Sequence, residues 1–424
     1  MKRKTKFKQT EIGDWEEAVF SEAIEVNPKR ELKKGQTAKF VSMADIEPFK
    51  RKISNFITKE FKSGSKFQNK DILFARITPC LENGKTAFID FLKDNEIGFG
   101  STEFIILSSK KEKTDPYFVY YLSRTPEVRK IAIKSMTGTS GRQRVENEVF
   151  DTILINLPSI QEQQSIAKIL SDLDSKIELN NKMNKTLEAI GQAIFKHWFI
   201  DFEFPNEKGK PYKSSGGEMI NSELGKIPKG WKVSKIGDEF ETILGGTPST
   251  TNKSYWENGT IPWINSGAIN DFPIINASQH ITEAGLNNSA TQLMPKKTVV
   301  LPFVISINKD IRISITGIET SGNQSVLGIV ENEKIPCEFI YYWVEKMKDD
   351  IYSWVTGGAQ QHINKNNVDN TLILIPNNNV MNNFKKLLIP IFDKILNNSY
   401  ETKNLSQIRD SLLPKLMSGK IRVK

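Results

Sequence analysis

Metal and nucleophile chemistry has little to work with in this chain. Its histidines are His197, His280 and His362, its cysteines are Cys80 and Cys337, and none forms HExxH or another paired-ligand spacing. Two cysteines support neither a disulfide framework nor a cysteine-based zinc site. Asn83-Gly-Lys-Thr86 imitates the tail of a phosphate-binding loop. Pro79 stands where the first glycine must be, so the backbone amides cannot form the cradle. Gly245-Gly-Thr-Pro248 is a glycine turn with no lysine behind it. Glu-x-Lys triplets such as Glu60-Phe-Lys62 are expected by chance where 26 % of residues are charged, and do not support a nuclease centre. No Asn-Pro-Pro-Tyr/Phe motif is present to hold a flipped adenine, and no glycine-rich loop after a strand suggests a seat for S-adenosylmethionine. The expectation is a chain with no catalytic residue, no cofactor and no metal.

What the sequence offers is polar recognition chemistry. Arg142-Gln143-Arg144 and Gln360-Gln361-His362 follow a Thr-Gly turn in equivalent loops. Arg pairs bidentately with guanine and Gln with adenine in a major groove. Gly100-Ser101-Thr102-Glu103 and Gly322-Asn323-Gln324-Ser325 are a second matched loop pair with different side chains. One frame with different polar tips fits two readers of different sequences; plain surface loops are the alternative. Arg76 and Lys85, with Lys66, Lys70, Lys253, Lys296 and Lys297, could anchor phosphates without reading bases. The 59 Lys and Arg against 50 Asp and Glu leave a net charge of +9. That excess suits a polyanion, although it also serves solubility. Trp256 and Trp263 are expected in the core rather than as stacking platforms. In Phe195-Lys196-His197-Trp198-Phe199 a docking surface for a partner is favoured over a helix-end core plug.

A tandem repeat must position these loops. At 424 residues the chain is too long for one ordinary core. Val355-Thr-Gly-Gly-Ala answers Met136-Thr-Gly-Thr-Ser, and Glu338-Phe-Ile-Tyr-Tyr-Trp343 answers Tyr117-Phe-Val-Tyr-Tyr-Leu122. Lys229-Gly-Trp231 likewise answers Gly13-Asp-Trp15, and Trp263-Ile-Asn-Ser answers Phe40-Val-Ser-Met. The spacing drifts from 216 to 223 and settles at 218. Thr152 to Pro158 and Thr371 to Pro376 read as strands ending at proline. Further strands are expected over Asp71–Ala75, Phe104–Leu107, Thr298–Leu301, Ile311–Ile315 and Val326–Val330, with helices after Pro116 and Pro336. Pro205 to Gly230 reads as a linker.

Each copy ends in a long helix. Ile166, Leu170, Leu173, Ile177, Leu187, Ile190 and Ile194 recur in three- and four-residue steps, as do Ile391, Ile395, Leu405, Ile408, Leu412 and Leu416. Ser159 and Glu162 form a capping-box start. Both seams turn polar midway, at Asn180 and Asn184 and at Asn398 and Thr402. Those amides are either a solvated patch or a buried register device. Pro390 and Pro414 are expected to weaken or kink the second helix. The longest nearly apolar run, Thr298 to Ile307, is far short of the ~20 residues a bilayer span needs. The basic start lacks the apolar stretch of a secretory signal, so a reducing cytoplasm is expected.

These residues resemble the specificity subunits of type I restriction–modification enzymes. Leu157-Pro-Ser-Ile-Gln-Glu-Gln163, Ile166-Ala-Lys-Ile-Leu170, Leu173-Asp174, Lys176-Ile-Glu-Leu-Asn180, Leu187-Glu188 and Phe195-Lys-His-Trp-Phe199 are similar to that family's central repeat. Leu224-Gly-Lys-Ile-Pro-Lys-Gly-Trp231, Gly246-Thr-Pro-Ser249 and Ile261-Pro-Trp-Ile264 resemble the opening of its target-recognition domains. Arg76-Ile-Thr-Pro79 with Asn83-Gly-Lys85 resembles a further segment of those domains. The likeness runs over essentially the whole chain. It departs at Pro376-Asn-Asn-Asn-Val380, where Pro-x-x-x-Glu-Gln is expected, and at Asn383-Phe-Lys-Lys386.

The resemblance implies an α+β fold. Two similar mixed α/β target-recognition domains are joined by two long helices packed as an antiparallel coiled coil, a pseudo-twofold tandem repeat. The expected boundaries are 1–157 for the first recognition domain and 158–204 for the central helical repeat. Linker and second recognition domain follow over 205–375, and the distal helical repeat over 376–424. The implied function is a non-catalytic DNA-reading subunit. Its partners are double-stranded DNA, two methylase subunits that carry adenine methylation, and motor-nuclease subunits that join for restriction, with no membrane. Helices of ~35 residues at ~1.5 Å per residue hold two readers at most ~50 Å apart. At ~3.4 Å per base pair this bounds the half-site separation at about 15 base pairs. A bipartite, asymmetric, gapped target is expected. The alternatives are a methylase-binding scaffold or antirestriction decoy that reads no DNA, and a fused methyltransferase or nuclease.

Overall fold

The computed structural model describes residues 15–139, 141–306, 312–353, 360–362 and 364–423. They fall into two compact units, residues 1–178 with 403–424 and residues 179–402. Both long helices contribute to both units. The first copy builds one antiparallel sheet in the order Ile24–Val26, Phe104–Ser109, Ile72–Ala75, Thr86–Phe88. Ile72-Leu-Phe-Ala75 sits inside that sheet and is buried at all four positions. A continuous apolar run covered on both faces fits such a central strand. A second sheet runs Ile57–Glu60, Thr37–Val41, Ile97–Gly100, Ser65–Gln68, with its middle pair parallel.

The second copy repeats both sheets strand for strand. Thr242–Leu244, Val326–Ile329, Val299–Pro302 and Ser314–Ile315 take the first order. Gln279–Ile281, Ile261–Ile264, Thr320–Gly322 and Leu293–Met294 take the second, again with a parallel middle pair. A small antiparallel pair starts each copy and precedes its long helix: Glu16–Val19 with Leu154–Leu157, and Lys232–Lys235 with Leu372–Ile375. The helices after Pro116 and Pro336 are Pro116–Ser123 and Cys337–Lys346. The expected strand starting at Ile311 is seen as Ser314–Ile315; Ile311 itself lies outside the described residues.

The central helix runs Ile160–Phe195 and the distal helix Asn378–Met417. Ser159 Oγ accepts the Glu162 amide at the first start, and Asn377 Oδ1 accepts the Val380 amide at the second. Pro390 and Pro414 do not interrupt the distal helix. Each forfeits one backbone N–H bond, but each stands beside buried seam residues, Leu388 and Phe392 or Leu413 and Leu416. Apolar burial there holds the helical path that local propensity resists.

The 218-residue repeat persists at the level of single core side chains. In the first unit Ile166, Leu170, Leu413, Leu416 and Met417 are buried. Their counterparts at that spacing, Phe384, Leu388, Phe195, Trp198 and Phe199, are buried in the second. Within each unit the helices pair antiparallel. In the first, Asp174 meets Arg409 and Glu162 meets Arg422. In the second, Asn180 donates to Glu401 and Asn398 to Asn184 at 2.8 and 2.9 Å. Asn180 and Asn398 are fully buried, so the polar middle is an interior amide network and not a solvated patch. Among the described residues, no helix is long and apolar enough to cross a membrane.

Candidate nucleic-acid interface

In the first unit three loops come together at one end of the sheets. The Arg76 amide donates to the Glu103 carbonyl, and the Val145 amide returns to the Arg76 carbonyl. Thr78 and Gln143 exchange bonds, amide to carbonyl at 3.0 Å and amide to hydroxyl at 3.1 Å. Arg144 lays its guanidinium on the Glu103 carboxylate with three contacts of 2.7 to 3.0 Å. The first-copy members of the two loop pairs singled out in the sequence are therefore physically joined. The hydrogen bonds from Arg144 hold the Glu103 carboxyl below its ordinary range. Gly138 has a left-handed backbone (φ +124°), and a side chain there would press on the Arg142 carbonyl at 3.1 Å.

This geometry sorts the expected contact residues. Thr102 and Arg142 are exposed, and Ser101 and Gln143 are half-buried. Ser101 Oγ accepts the Glu103 amide and shapes its own loop. Arg144 has its fork occupied by Glu103, which suits a positioning role. Arg76 donates to the Val145 carbonyl at 2.7 Å, and Lys85 to the Met43 carbonyl at 2.8 Å. Among the backbone anchors, Lys66 also turns inward, to the Arg30 carbonyl and over the Phe61 ring. Lys70 is exposed. Glu103 itself carries the loop junction and was not singled out as a site residue. Its signal in the sequence is only that it closes the matched Gly-Ser-Thr-Glu loop.

The second unit builds the corresponding corner with different chemistry. Gly245 donates to the Val326 carbonyl and Gly246 to the Gly322 carbonyl. A Cβ on Gly245 would lie 2.1 Å from the Asn323 carbonyl, so only glycine allows this approach. Asn323 caps its own turn by accepting the Ser325 amide. Gln324 is exposed and accepts the Thr247 hydroxyl. Trp263 is buried and donates to the Gly246 carbonyl; the half-buried Trp256 packs edge-on against it at 5.1 Å and donates to the Ser249 carbonyl. Gln360-Gln361-His362 form a strand antiparallel to Val304–Ser306, where the first copy has the Ile77–Arg144 bridge. Their side chains, and the Val355–Ala359 turn before them, lie outside the described residues. Lys253 and Lys296 are exposed and Lys297 is half-buried.

The aromatic cluster at the end of the central helix resolves differently from the docking expectation. Phe195, Trp198 and Phe199 are buried against Phe339, Phe384 and Trp231. Within Phe195–Phe199 the exposed residues are the polar Lys196 and His197. The apolar steps 195, 198 and 199 fall on one helix face, and that face closes the second core. The cluster is a plug.

The family described as the type I restriction modification DNA specificity domain matches residues 6–189 and again residues 228–409, once on each copy. The specificity subunit of the type I restriction enzyme HindI of Haemophilus influenzae is 27 % identical over 407 residues, covering 83 % of this chain and 86 % of its own. That of MjaIX from Methanocaldococcus jannaschii is 31 % identical over 311 residues, covering 72 % and 69 %. The crystal structure of a type I restriction–modification S subunit from M. genitalium matches 98 % of both chains with a TM-score of 0.53. At 15 % identity this is a likeness of fold.

Proposed function

Since the chain belongs to the type I restriction modification DNA specificity family, we propose that it is the non-catalytic subunit that brings such an enzyme to its DNA target. Each unit reads one half of a bipartite, asymmetric site, and the helical repeats supply the unread gap. The observation that carries this reading is one sheet topology built twice with different polar tips at the same corner, Thr102 and Arg142 in one and Thr247 and Gln324 in the other. A frame kept while the tips diverge is what separate half-site specificities require.

Adenine methylation and ATP-dependent cleavage belong to partner subunits. Two methylase copies are supported by the surface of the helices. Ile169 and Ile190 on the central helix are 36 % and 44 % exposed, and Leu387 and Ile408 on the distal helix 45 % and 48 %. Leu387 and Ile408 stand 218 residues after Ile169 and Ile190. Each unit thus carries an exposed apolar side chain on each helix at equivalent positions, Ile169 and Ile408 in one and Leu387 and Ile190 in the other, so Ile190 and Ile408 lie off the buried seam expected from the sequence. A surface repeated twice suits one partner bound twice.

The test is co-expression with a compatible methylase subunit, followed by mapping of methylated adenines across the host genome. A single gapped, asymmetric motif that disappears without this chain is expected. A continuous motif would sink the two-reader arrangement. A stable complex that methylates nothing would leave the chain a scaffold.

A further inference from the structure

The turn that leads from the strand Val326–Ile329 into the helix Cys337–Lys346 gathers three acidic groups with no part in DNA recognition. Asn332 Oδ1 accepts the Lys334 and Ile335 amides and folds the turn. Glu331 Oε2 then caps the helix by accepting the Cys337 amide at 2.8 Å. This brings the Glu331 carboxylate, Cys337 Sγ and the Glu338 carboxylate together, with one ligand atom of each within 4.8 Å of the others. Cys337 and Glu338 are each 1 % exposed. Glu338 Oε2 is buried without a geometric hydrogen-bond partner, and the Cys337 thiol faces the same carboxyl. Native interiors rarely strand a carboxylate oxygen without reason.

The first copy folds the same strand-to-helix passage without this trio. Pro116 and Tyr117 open its helix where the second copy has Cys337 and Glu338, and Asp115 supplies the cap. The trio is an addition of the second copy, so the fold alone does not demand it. We propose that Glu331, Cys337 and Glu338 bind one divalent cation of the zinc type, which ties the turn to the helix.

Two carboxylates and a thiolate around one dication leave a single negative charge, which the neighbouring Lys297 ammonium balances. A thiolate among the ligands favours zinc over magnesium or calcium. Zinc bonds of ~2.0–2.3 Å keep tetrahedral ligand atoms roughly 3.3–3.8 Å apart, so the side chains need to close by about 1 Å.

The full chain, stripped with a chelator and titrated with Co²⁺, gives the answer. One Co²⁺ per chain is expected, with a thiolate-to-cobalt charge-transfer band and displacement by Zn²⁺. Cys337→Ser should remove the band while Cys80→Ser keeps it. Glu338→Gln should weaken binding roughly tenfold or more. Substoichiometric binding, or a band that survives Cys337→Ser, overturns the site. Should Cys337→Ser fail to fold, the decision falls to ion stoichiometry on the unaltered chain and the band of Cys80→Ser, whose one remaining thiol is Cys337.

Discussion

Trp15 donates its indole N–H to the Glu162 carboxylate at 3.1 Å. Arg422 holds the same carboxylate at 2.7 Å and lies over the Trp15 ring. In the second copy Trp231 stacks on Phe204, the counterpart of Arg422, and Val380 stands where Glu162 would be. The Trp231 indole nitrogen is buried without an acceptor. The missing Glu-Gln opening of the distal repeat is thus one coordinated exchange. A charged clamp in the first copy becomes an apolar one in the second, while the backbone frame is kept.

Glu162→Val should therefore be far more costly than its presence at position 380 suggests. It removes the carboxylate that the buried Trp15 indole and the exposed Arg422 guanidinium share in the first unit. A loss of about 1.5–3 kcal/mol is expected, the range for a hydrogen bond to a charged group. The check is the denaturant midpoint of Glu162→Val against Glu162→Gln, which retains an acceptor and should lose less.

The same carboxylate gives the first unit an acid dependence. Hydrogen bonds from Arg422 hold Glu162 below its ordinary value against the opposing effect of burial. A folded-state pKa below the unfolded one means that the clamp contributes fully above about pH 4.3 and is lost as pH falls through the folded value. Melting temperature should drop with acidification below that point, and Glu162→Gln should flatten that part of the profile. An unchanged slope in Glu162→Gln would refute the clamp as its source.

Asp174 and Arg409 are a second lock, buried at 2.6 Å between the helices, with Tyr121 donating to the same carboxylate at 2.7 Å. Burial opposes the Arg409 charge, but Asp410 and Asp174 outweigh it and raise its pKa. Breaking a buried pair by removing one partner typically costs about 3–5 kcal/mol; here Arg409 keeps Asp410 and Asp174 keeps Tyr121 and Arg124, which sets the cost at the lower end. Asp174→Leu and Arg409→Met should each be strongly destabilising, and the double variant should recover most of the loss. A double-mutant cycle with no coupling would show that the pair is not the lock.

The repeat and its 218-residue spacing were legible because core packing keeps apolar positions in register, as Ile166 with Phe384 and Leu170 with Leu388 show. The plug formed by Phe195, Trp198 and Phe199 was legible in principle too. Leu413, Leu416 and Met417 repeat its steps, and a repeated apolar face is a core face. The Glu103–Arg144 junction was not legible. Opposite charges are common in this chain, and only the folded loops bring these two together. The continuity of the distal helix through Pro390 and Pro414 also needed the structure, because tertiary burial there overrides local propensity.

The exposed apolar pairs on the helices should bind methylase one copy at a time. Ile169→Lys and Leu387→Lys replace exposed side chains, so stability should change by no more than about 0.5 kcal/mol. Native mass spectrometry of the co-expressed complex should show each variant losing one methylase copy and the double variant losing both. Full occupancy in the double variant would remove these residues from the docking surface.

The two arginines flanking Gln143 should fail in different ways. Arg142 is exposed and free to meet a base edge, whereas the Arg144 fork is spent on Glu103. Arg142→Ala should relax one letter of one half-site, since a bidentate base contact discriminates by about 1–3 kcal/mol. Arg144→Ala should lower methylation at every sequence of that half-site without changing its letters, because it releases the loop that presents Arg142. Gln324→Ala should alter the other half-site alone. Methylation mapping of the three variants separates these outcomes. A letter change caused by Arg144→Ala would make that residue a reader, and letter changes in both halves from any single variant would break the assignment of one unit to one half.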